Sequence, residues 1–183
     1  MLPLTSSAPA VVDSKVAAIF REQGRYVVRL LRRLGVADAD VDDVFQEVFM
    51  IVHRKLPALD PAASVRAWVY GICVRRAANH RKRKRARREF PTDESADTVD
   101  LEQAAPGEAL DATKARAMLD AILRELSDEK RDVFVLYVIE ELPMREVADA
   151  LGCPLHTAYS RLYAARKHVE DSIRRLRAQM GRP

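Results

Sequence analysis

Apolar residues recur every three or four positions in separate stretches of the chain, the spacing of helices that bury one face. Two such stretches cover residues 13–34 and about 40–56, and they end at Gly35 and Pro57. A third covers residues 64–89, begins at a serine suited to capping, and runs into a block of cations. Alternating β-branched runs, which would predict strands, are absent from the sequence. The first half of the chain is therefore predicted to be helical.

The second half shows the same periodicity. Helices are predicted from about residue 112 to 126, over 128–141 after the capping residue Ser127, over 143–150 and over 154–178. The predicted fold class is all-α, with two small helical domains joined by a flexible acidic linker. The C-terminal domain is predicted to be a helix-turn-helix.

Changes in composition suggest where the domains begin and end. Two prolines, a glycine, many acids and few apolar residues in 90–111 are typical of a linker. The predicted divisions are a disordered N-terminus (1–12), a first domain (13–89), the linker (90–111), a second domain (112–178) and a tail (179–183).

Overall composition narrows the class of protein. Two cysteines far apart in sequence do not form a disulfide framework, and Cys153 with His156 lacks a second ligand pair, so no metal or cofactor is predicted. Neither a leader peptide nor an apolar run long enough to cross a membrane is apparent, so we expect a cytoplasmic protein without membrane insertion. Phosphate-binding loops and metalloprotease motifs are missing, so the protein is not expected to be an enzyme.

Charge is concentrated rather than spread. Nine of the fourteen residues 75–88 are Lys or Arg, whereas the next stretch, 89–108, has seven acids and neither Lys nor Arg. An isolated block of this kind is often disordered or a localisation tag, but here it continues a periodic helix. It is predicted to contact the phosphates of a nucleic acid, with strong salt dependence.

The segment 142–169 has the spacing of a helix-turn-helix. Val147, Ala148 and Leu151 are predicted to face inward, Gly152 to adopt the left-handed turn conformation, and Pro154 to open the second helix. Major-groove contact is predicted for the outward side chains of that second helix, although an ordinary helical hairpin with a polar face is the alternative. These side chains are His156, Thr157, Tyr159, Ser160, Arg161, Tyr163 and Arg166.

The helix over 40–56 has a polar outer face whose role the residue types alone do not identify. Asp43, Gln46, Glu47 and Met50 share the side opposite its apolar stripe. Taken alone, such a face is most often simply solvated.

Particular segments resemble a known family. DVDDVFQEVFMIVHRKL (40–56) resembles region 2.2 of the sigma-70 family of bacterial RNA polymerase sigma factors. The helix after Ser64 resembles regions 2.3 and 2.4 through its R-A-W-V-Y-G-I run and Asn79, and 112–178 resembles region 4. Two modules alone, with a short linker, are typical of the extracytoplasmic-function (ECF) type.

The resemblance implies a role in transcription initiation with core RNA polymerase and promoter DNA. It implies that Asp43, Gln46, Glu47 and Met50 dock on the β′ coiled coil, and that region 4 meets the β flap. The resemblance also implies that a larger set of residues contacts the bases and phosphates of the melted minus-ten element. That set is Asp60, Ser64, Arg75, Arg76, Asn79, Arg81, Lys82 and Arg83.

Readout of the minus-thirty-five element is implied for the outward helix-turn-helix residues, with departures from the family pattern. Val65 stands where an aromatic is common, and Tyr159 and Ala164 replace frequent basic residues. Tyr159 can stack or donate a hydrogen bond but makes no charge-assisted contact. The resemblance also implies an anti-sigma partner, and we expect a monomer when the protein is free.

Two alternatives stay open from the sequence. A transcriptional regulator could use the helix-turn-helix without binding core polymerase, in which case dimers on palindromic sites are expected. A nuclease or nucleotide-using enzyme is less favoured. The charge reversal at Glu89 also suggests that the acidic linker shields the cationic helix and folds the two modules together.

Overall fold

A computed structural model describes residues 8–89 and 110–180 of the 183-residue chain. Within those two ranges there are seven α-helices and no strand, which confirms the all-α prediction. Most of the predicted linker lies outside the described residues. The predicted disordered N-terminus extends too far, because the first helix already begins at Ala8.

Three helices form the first half: α1 (Ala8–Arg33), α2 (Asp38–Lys55) and α3 (Val65–Glu89). Gly35 ends α1 in the left-handed conformation, with φ of 83°, and its N–H donates to the carbonyl of Arg32. The apolar stripe of α2 is buried as predicted. Its buried members are Val41, Val44, Val48, Phe49 and Val52.

The connection between α2 and α3 is ordered by its own polar groups. A 3-10 turn covers Leu56–Ala58. The Ser64 hydroxyl then accepts a hydrogen bond of 3.2 Å from the N–H of Ala67, which confirms the predicted cap.

Four helices form the second half: α4 (Leu110–Glu125), α5 (Asp128–Phe134), α6 (Met144–Leu151) and α7 (Leu155–Met180). The helix predicted over 128–141 is interrupted, because a π-helical turn (Val135–Ile139) follows α5. In this turn the N–H of Glu140 donates to the carbonyl of Val135, five residues back. Ser127 precedes α5 as predicted, but its side chain makes no capping hydrogen bond.

The α6–α7 pair has the predicted helix-turn-helix geometry. Gly152 is left-handed, with φ of 62° and ψ of 37°, and the N–H of Cys153 donates to the carbonyl of Ala148. Val147 on α6 and Ala158 on α7 are fully buried, so the crossing is fixed by small apolar side chains. The pair also packs on the first half through α6 and α3, and the buried apolar residues of both halves form one cluster.

The turn conformation predicts opposite effects of the same substitution at two glycines. A Cβ at Gly152 meets no atom within 4 Å, so the cost of Gly152→Ala comes from the left-handed backbone alone. We expect a loss of about 1 kcal/mol in the free energy of unfolding. Gly24→Ala is the matched control, since α1 has ordinary helical backbone there and the nearest atom is 3.8 Å away. It should gain about 0.5–1 kcal/mol; equal effects in urea denaturation would contradict the assignment.

Candidate polymerase and promoter interface

The outer face of α2 is open to solvent, except at Glu47. Asp43 and Gln46 are exposed, and the Met50 side chain is 71% exposed although it is apolar. Glu47 is half-buried. Three of the four residues predicted to dock on polymerase therefore lie together on one accessible surface.

Glu47 joins this surface to α3. One of its carboxylate oxygens lies 3.3 Å from Nη1 of Arg76 and the other 3.4 Å from Nη2 of Arg83. The carboxylate consequently holds two cations that were predicted to contact promoter DNA. A residue assigned to one predicted surface thus orients side chains of the other.

An aromatic cleft that was not predicted from the sequence lies beside the α2 face. The rings of Phe20, Phe45 and Phe49 meet at centroid distances of 4.7–5.5 Å. Together with Met50 and His53 they line a cavity of about 480 Å³. Phe20 belongs to the apolar stripe of α1 by spacing, so the sequence carries no signal that its ring is half exposed.

The loop before α3 uses both of its predicted contact residues for its own structure. Asp60 Oδ1 accepts a hydrogen bond of 2.9 Å from the N–H of Ala62, and Ser64 caps α3. Both residues stay exposed. Their side chains set the path of the loop while remaining accessible to a ligand.

A cationic cleft follows on the outer face of α3. It has a volume of about 470 Å³ and is lined by Arg76, Asn79, Lys82, Arg83 and Ala86. Residues three and four apart on a helix share a face, which explains why these side chains converge. The structure therefore brings together four of the predicted minus-ten residues on one open surface.

Arg81 is placed differently, although it was predicted beside them. It is only 7% exposed and lies against the second half of the chain. Its Nη2 donates to Asp132 Oδ2 at 3.0 Å, and Nη1 donates to the carbonyl of Leu34. Its Nε lies 3.2 Å from Asp128 Oδ1 without the alignment of a hydrogen bond. In this arrangement Arg81 cannot reach DNA.

Arg75 also turns toward the second half. Its Nη1 lies 3.4 Å from the carbonyl oxygen of Ala150 on α6, a weak hydrogen bond at most. The side chain stays exposed, so a modest rotation would free it.

Most of the side chains predicted to face outward on α7 are exposed. His156, Ser160 and Arg166 are exposed, and the tyrosines 159 and 163 are 52% and 73% exposed. Thr157 is half-buried. This face is accessible to a groove of DNA.

Arg161 is the partly engaged member of that face. It is half-buried, and its Nη2 lies 3.4 Å from an oxygen of Glu129. Glu129 is itself well exposed, so this ion pair is weak and easily exchanged for a contact with DNA.

Acids on the second half hold several of the cations of the first half, and these acids were not identified from the sequence. Glu140 is buried, with Oε1 3.1 Å from Nη1 of Arg33 and Oε2 3.7 Å from Nη2 of Arg66. Asp132 is the last of five consecutive charged residues, 128–132, that precede an apolar run, so its local sequence did not mark it as a buried acid.

Burial shifts the pKa of titratable groups at this contact. Desolvation raises the pKa of Asp132 to about 6, and the guanidinium of Arg81 opposes the shift. Desolvation lowers the pKa of Arg131, which also faces Asp132 and Asp128. Burial raises the pKa of Tyr70 as well, against a hydrogen bond from Arg66.

Both halves of the chain match sigma factor families. The family model for sigma-70 region 2 matches residues 19–88, and that for sigma-70 region 4 matches residues 116–169. The chain is 27% identical over 145 residues to the ECF RNA polymerase sigma factor SigF of Caulobacter vibrioides, covering 79% of this chain and 77% of that protein. It is 27% identical over 174 residues to the ECF RNA polymerase sigma-E factor of Escherichia coli K12, covering 90% of each.

Solved structures show the same fold. CnrH, in complex with the cytosolic domain of CnrY, has a TM-score of 0.63 and 21% identity, covering 90% of this chain and 94% of CnrH. The sigma factor RpoE of Bartonella quintana, in complex with the anti-sigma factor NepR, has a TM-score of 0.65 and 21% identity. That match covers 85% of this chain and 96% of RpoE.

The two sigma-70 regions occur in order, and ECF sigma factors match most of the length, so the chain belongs to the ECF subfamily of the sigma-70 family of RNA polymerase sigma factors. The predicted sigma factor function is confirmed, and the comparisons do not support a regulator that acts without polymerase. Sigma factors are regulatory proteins, which is consistent with the expectation that the chain is not an enzyme. No helix within 8–89 or 110–180 is long and apolar enough to span a membrane.

The raised pKa of Asp132 predicts a pH effect on stability. Because the folded protein binds this proton more tightly than the unfolded chain, the group stabilises less as pH rises from about 4 to about 6. Between pH 4.5 and 7.5 we expect wild type to lose about 2 kcal/mol relative to Asp132→Asn in urea unfolding. A difference that stays constant across this range would show that the carboxyl group titrates normally.

Proposed function

We propose that this chain binds core RNA polymerase through the outer face of α2 and delivers α3 and α7 to the two elements of a promoter. The observation that carries the proposal is the open α2 surface of Asp43, Gln46 and Met50, in the same chain as an accessible helix-turn-helix. A DNA-binding regulator acting alone would have no need of the first surface.

The minus-ten element is proposed to meet the cationic cleft of α3. Asn79 is exposed there and offers an amide that can both donate to and accept from a base edge, while Lys82 and Arg83 supply charge for the backbone. Unstacking a base costs a few kcal/mol, so a cleft flanked by cations suits a strand that is already melted. Asp60 and Ser64 would shape the adjoining loop.

The minus-thirty-five element is proposed to meet the outer face of α7. Arg161 is the residue able to bond bidentately to guanine once it leaves Glu129. Tyr159 and Tyr163 would stack or donate hydrogen bonds, and Ser160 donates its hydroxyl to the carbonyl of Thr157 in the free protein.

The partners follow the same division of surfaces. We propose the β′ coiled coil of polymerase as the ligand of the α2 face and the β flap as the ligand of the second half. Two of the similar solved proteins are in complexes: CnrH with the cytosolic domain of CnrY, and the sigma factor RpoE with the anti-sigma factor NepR. An anti-sigma partner for this chain stays a prediction.

Loss of the α2 polar groups should abolish polymerase binding. Both side chains are exposed and Asp43→Ala with Gln46→Ala leaves the helix intact, so circular dichroism should be unchanged. Affinity for core polymerase, measured by fluorescence anisotropy, should fall at least about 100-fold. Glu22→Ala on α1 is a charge control that should bind normally; undiminished affinity of the double variant would refute the docking surface.

Arg161→Ala should reduce binding to the minus-thirty-five element more than to random DNA. Loss of a bidentate base contact is worth about 1–3 kcal/mol, on the order of 10- to 100-fold in affinity. Arg174→Ala, an exposed arginine near the end of α7, should weaken binding little and equally on both DNAs. An equal loss on both DNAs for Arg161→Ala would make it a phosphate contact.

A further inference from the structure

Glu47 of α2 is paired with two of the three cations that line the cationic cleft of α3. Its Oε2 lies 3.3 Å from Nη1 of Arg76, and its Oε1 lies 3.4 Å from Nη2 of Arg83. The third cation, Lys82, is exposed and forms no ion pair within the part of the chain that the structure describes. A single carboxylate on a neighbouring helix therefore sets the direction of two guanidiniums in the cleft.

Both arginines keep most of their donors available while they are held. A guanidinium has five N–H donors, and the contact with Glu47 engages one nitrogen of each side chain. Arg76 and Arg83 are about two turns apart on α3, and Asn79 lies between them in the same cleft. The carboxylate thus holds a guanidinium on either side of the amide that is proposed to meet a base.

Holding these side chains in advance reduces the cost of binding. Fixing one long, flexible side chain on a ligand typically weakens binding by about two- to tenfold. The Arg76 side chain is 31% exposed and that of Glu47 is 36% exposed, so this pair is partly shielded from water and more persistent than a fully exposed pair. Without the carboxylate, the two guanidiniums would also repel each other.

Glu47 in addition lowers the net charge of the cleft. Arg76, Lys82 and Arg83 carry three positive charges, and the carboxylate paired with two of them leaves a net charge of +2. Attraction to phosphate is the same for every DNA sequence, whereas hydrogen bonds to base edges differ between sequences. A cleft with ordered donors and less charge therefore depends less on the backbone and more on the base for its affinity.

We propose that Glu47 is a positioning residue that makes the cleft selective for the minus-ten strand, because it orders Arg76 and Arg83 around the base and limits their attraction to other phosphates. The proposal rests on the proposed function, since it assumes that this cleft binds the melted minus-ten element. The role differs from the polymerase contact predicted for Glu47 from the resemblance, because both of its carboxylate oxygens face α3.

Glu47→Gln tests the role, because it keeps the size of the side chain and removes its charge. Affinity is measured for a premelted minus-ten fragment and for a premelted fragment of random sequence, over a series of salt concentrations and with core polymerase saturating. We expect the ratio of the two affinities to fall several-fold. The salt slope of log affinity for the random fragment should steepen by about 0.7, since one more charge is available to phosphate.

Glu22→Gln is the matched control, because it removes the same charge from an exposed position on α1. It should change neither the ratio nor the salt slope. If either quantity is unchanged in Glu47→Gln, the positioning role is overturned.

Replacing the arginines tests whether Glu47 acts through them. In a chain that already carries Arg76→Gln and Arg83→Gln, adding Glu47→Gln should alter neither the ratio nor the salt slope, since the groups that it positions are gone. A role confined to the packing of α2 on α3 would leave the effect of Glu47→Gln intact in this background, and that result would also overturn the proposal.

The wild-type chain separates failure of this role from failure of the proposed function. If wild type with core polymerase binds the minus-ten fragment no better than the random one, the proposed function is wrong and the role of Glu47 falls with it. If wild type prefers the minus-ten fragment and Glu47→Gln prefers it equally, the proposed function stands and the positioning role is wrong.

Discussion

A guanidinium buried between two carboxylates determines how the two halves of this protein meet. Removing a charge from water costs several kcal/mol, and the cost is recovered only when the geometry satisfies the group. Asp132, Asp128 and the carbonyl of Leu34 surround Arg81 on both sides of the contact. Since breaking such a pair costs about 3–5 kcal/mol, the halves dock in one register rather than sliding as two apolar faces would.

The third helix can serve several neighbours because it presents three different faces. Val69 and Cys73 are fully buried, Gly71 approaches α6, and Asn79 with Lys82 faces solvent. Its cationic half would repel itself as an isolated helix. Here acids from two directions neutralise it, among them Glu47 from α2 and Asp128 from α5. Packing and promoter contact therefore draw on the same set of charges.

The sequence was sufficient for most of the helices and for the faces of α2 and α7, because apolar spacing and turn residues act locally. The residue type alone predicts the helix cap at Ser64 and the left-handed turn at Gly152, and both are present in the structure. The docking of the halves could not be predicted in the same way. Arg81 is one cation among nine in its block, and nothing in its neighbours distinguishes a buried guanidinium from a solvated one.

The acids that meet the cations among the described residues were not singled out from the sequence. The linker was expected to shield α3, and most of it lies outside the described residues, whereas α5 and the turn after it supply the carboxylates that the structure shows. A local sequence pattern does not reveal an ion-pair partner that is distant in the sequence.

Because of the π-helical turn after α5, the direction of the side chains that follow depends on the number of residues in this segment. One residue more or fewer in a helix rotates everything that follows by about 100°. Glu140 ends that turn and meets Arg33 and Arg66 on the other half. A one-residue deletion here would swing its carboxylate away while every other side chain kept its identity. Relatives that differ in length at this turn should therefore join their two halves through different contacts, however similar their helix-turn-helix residues.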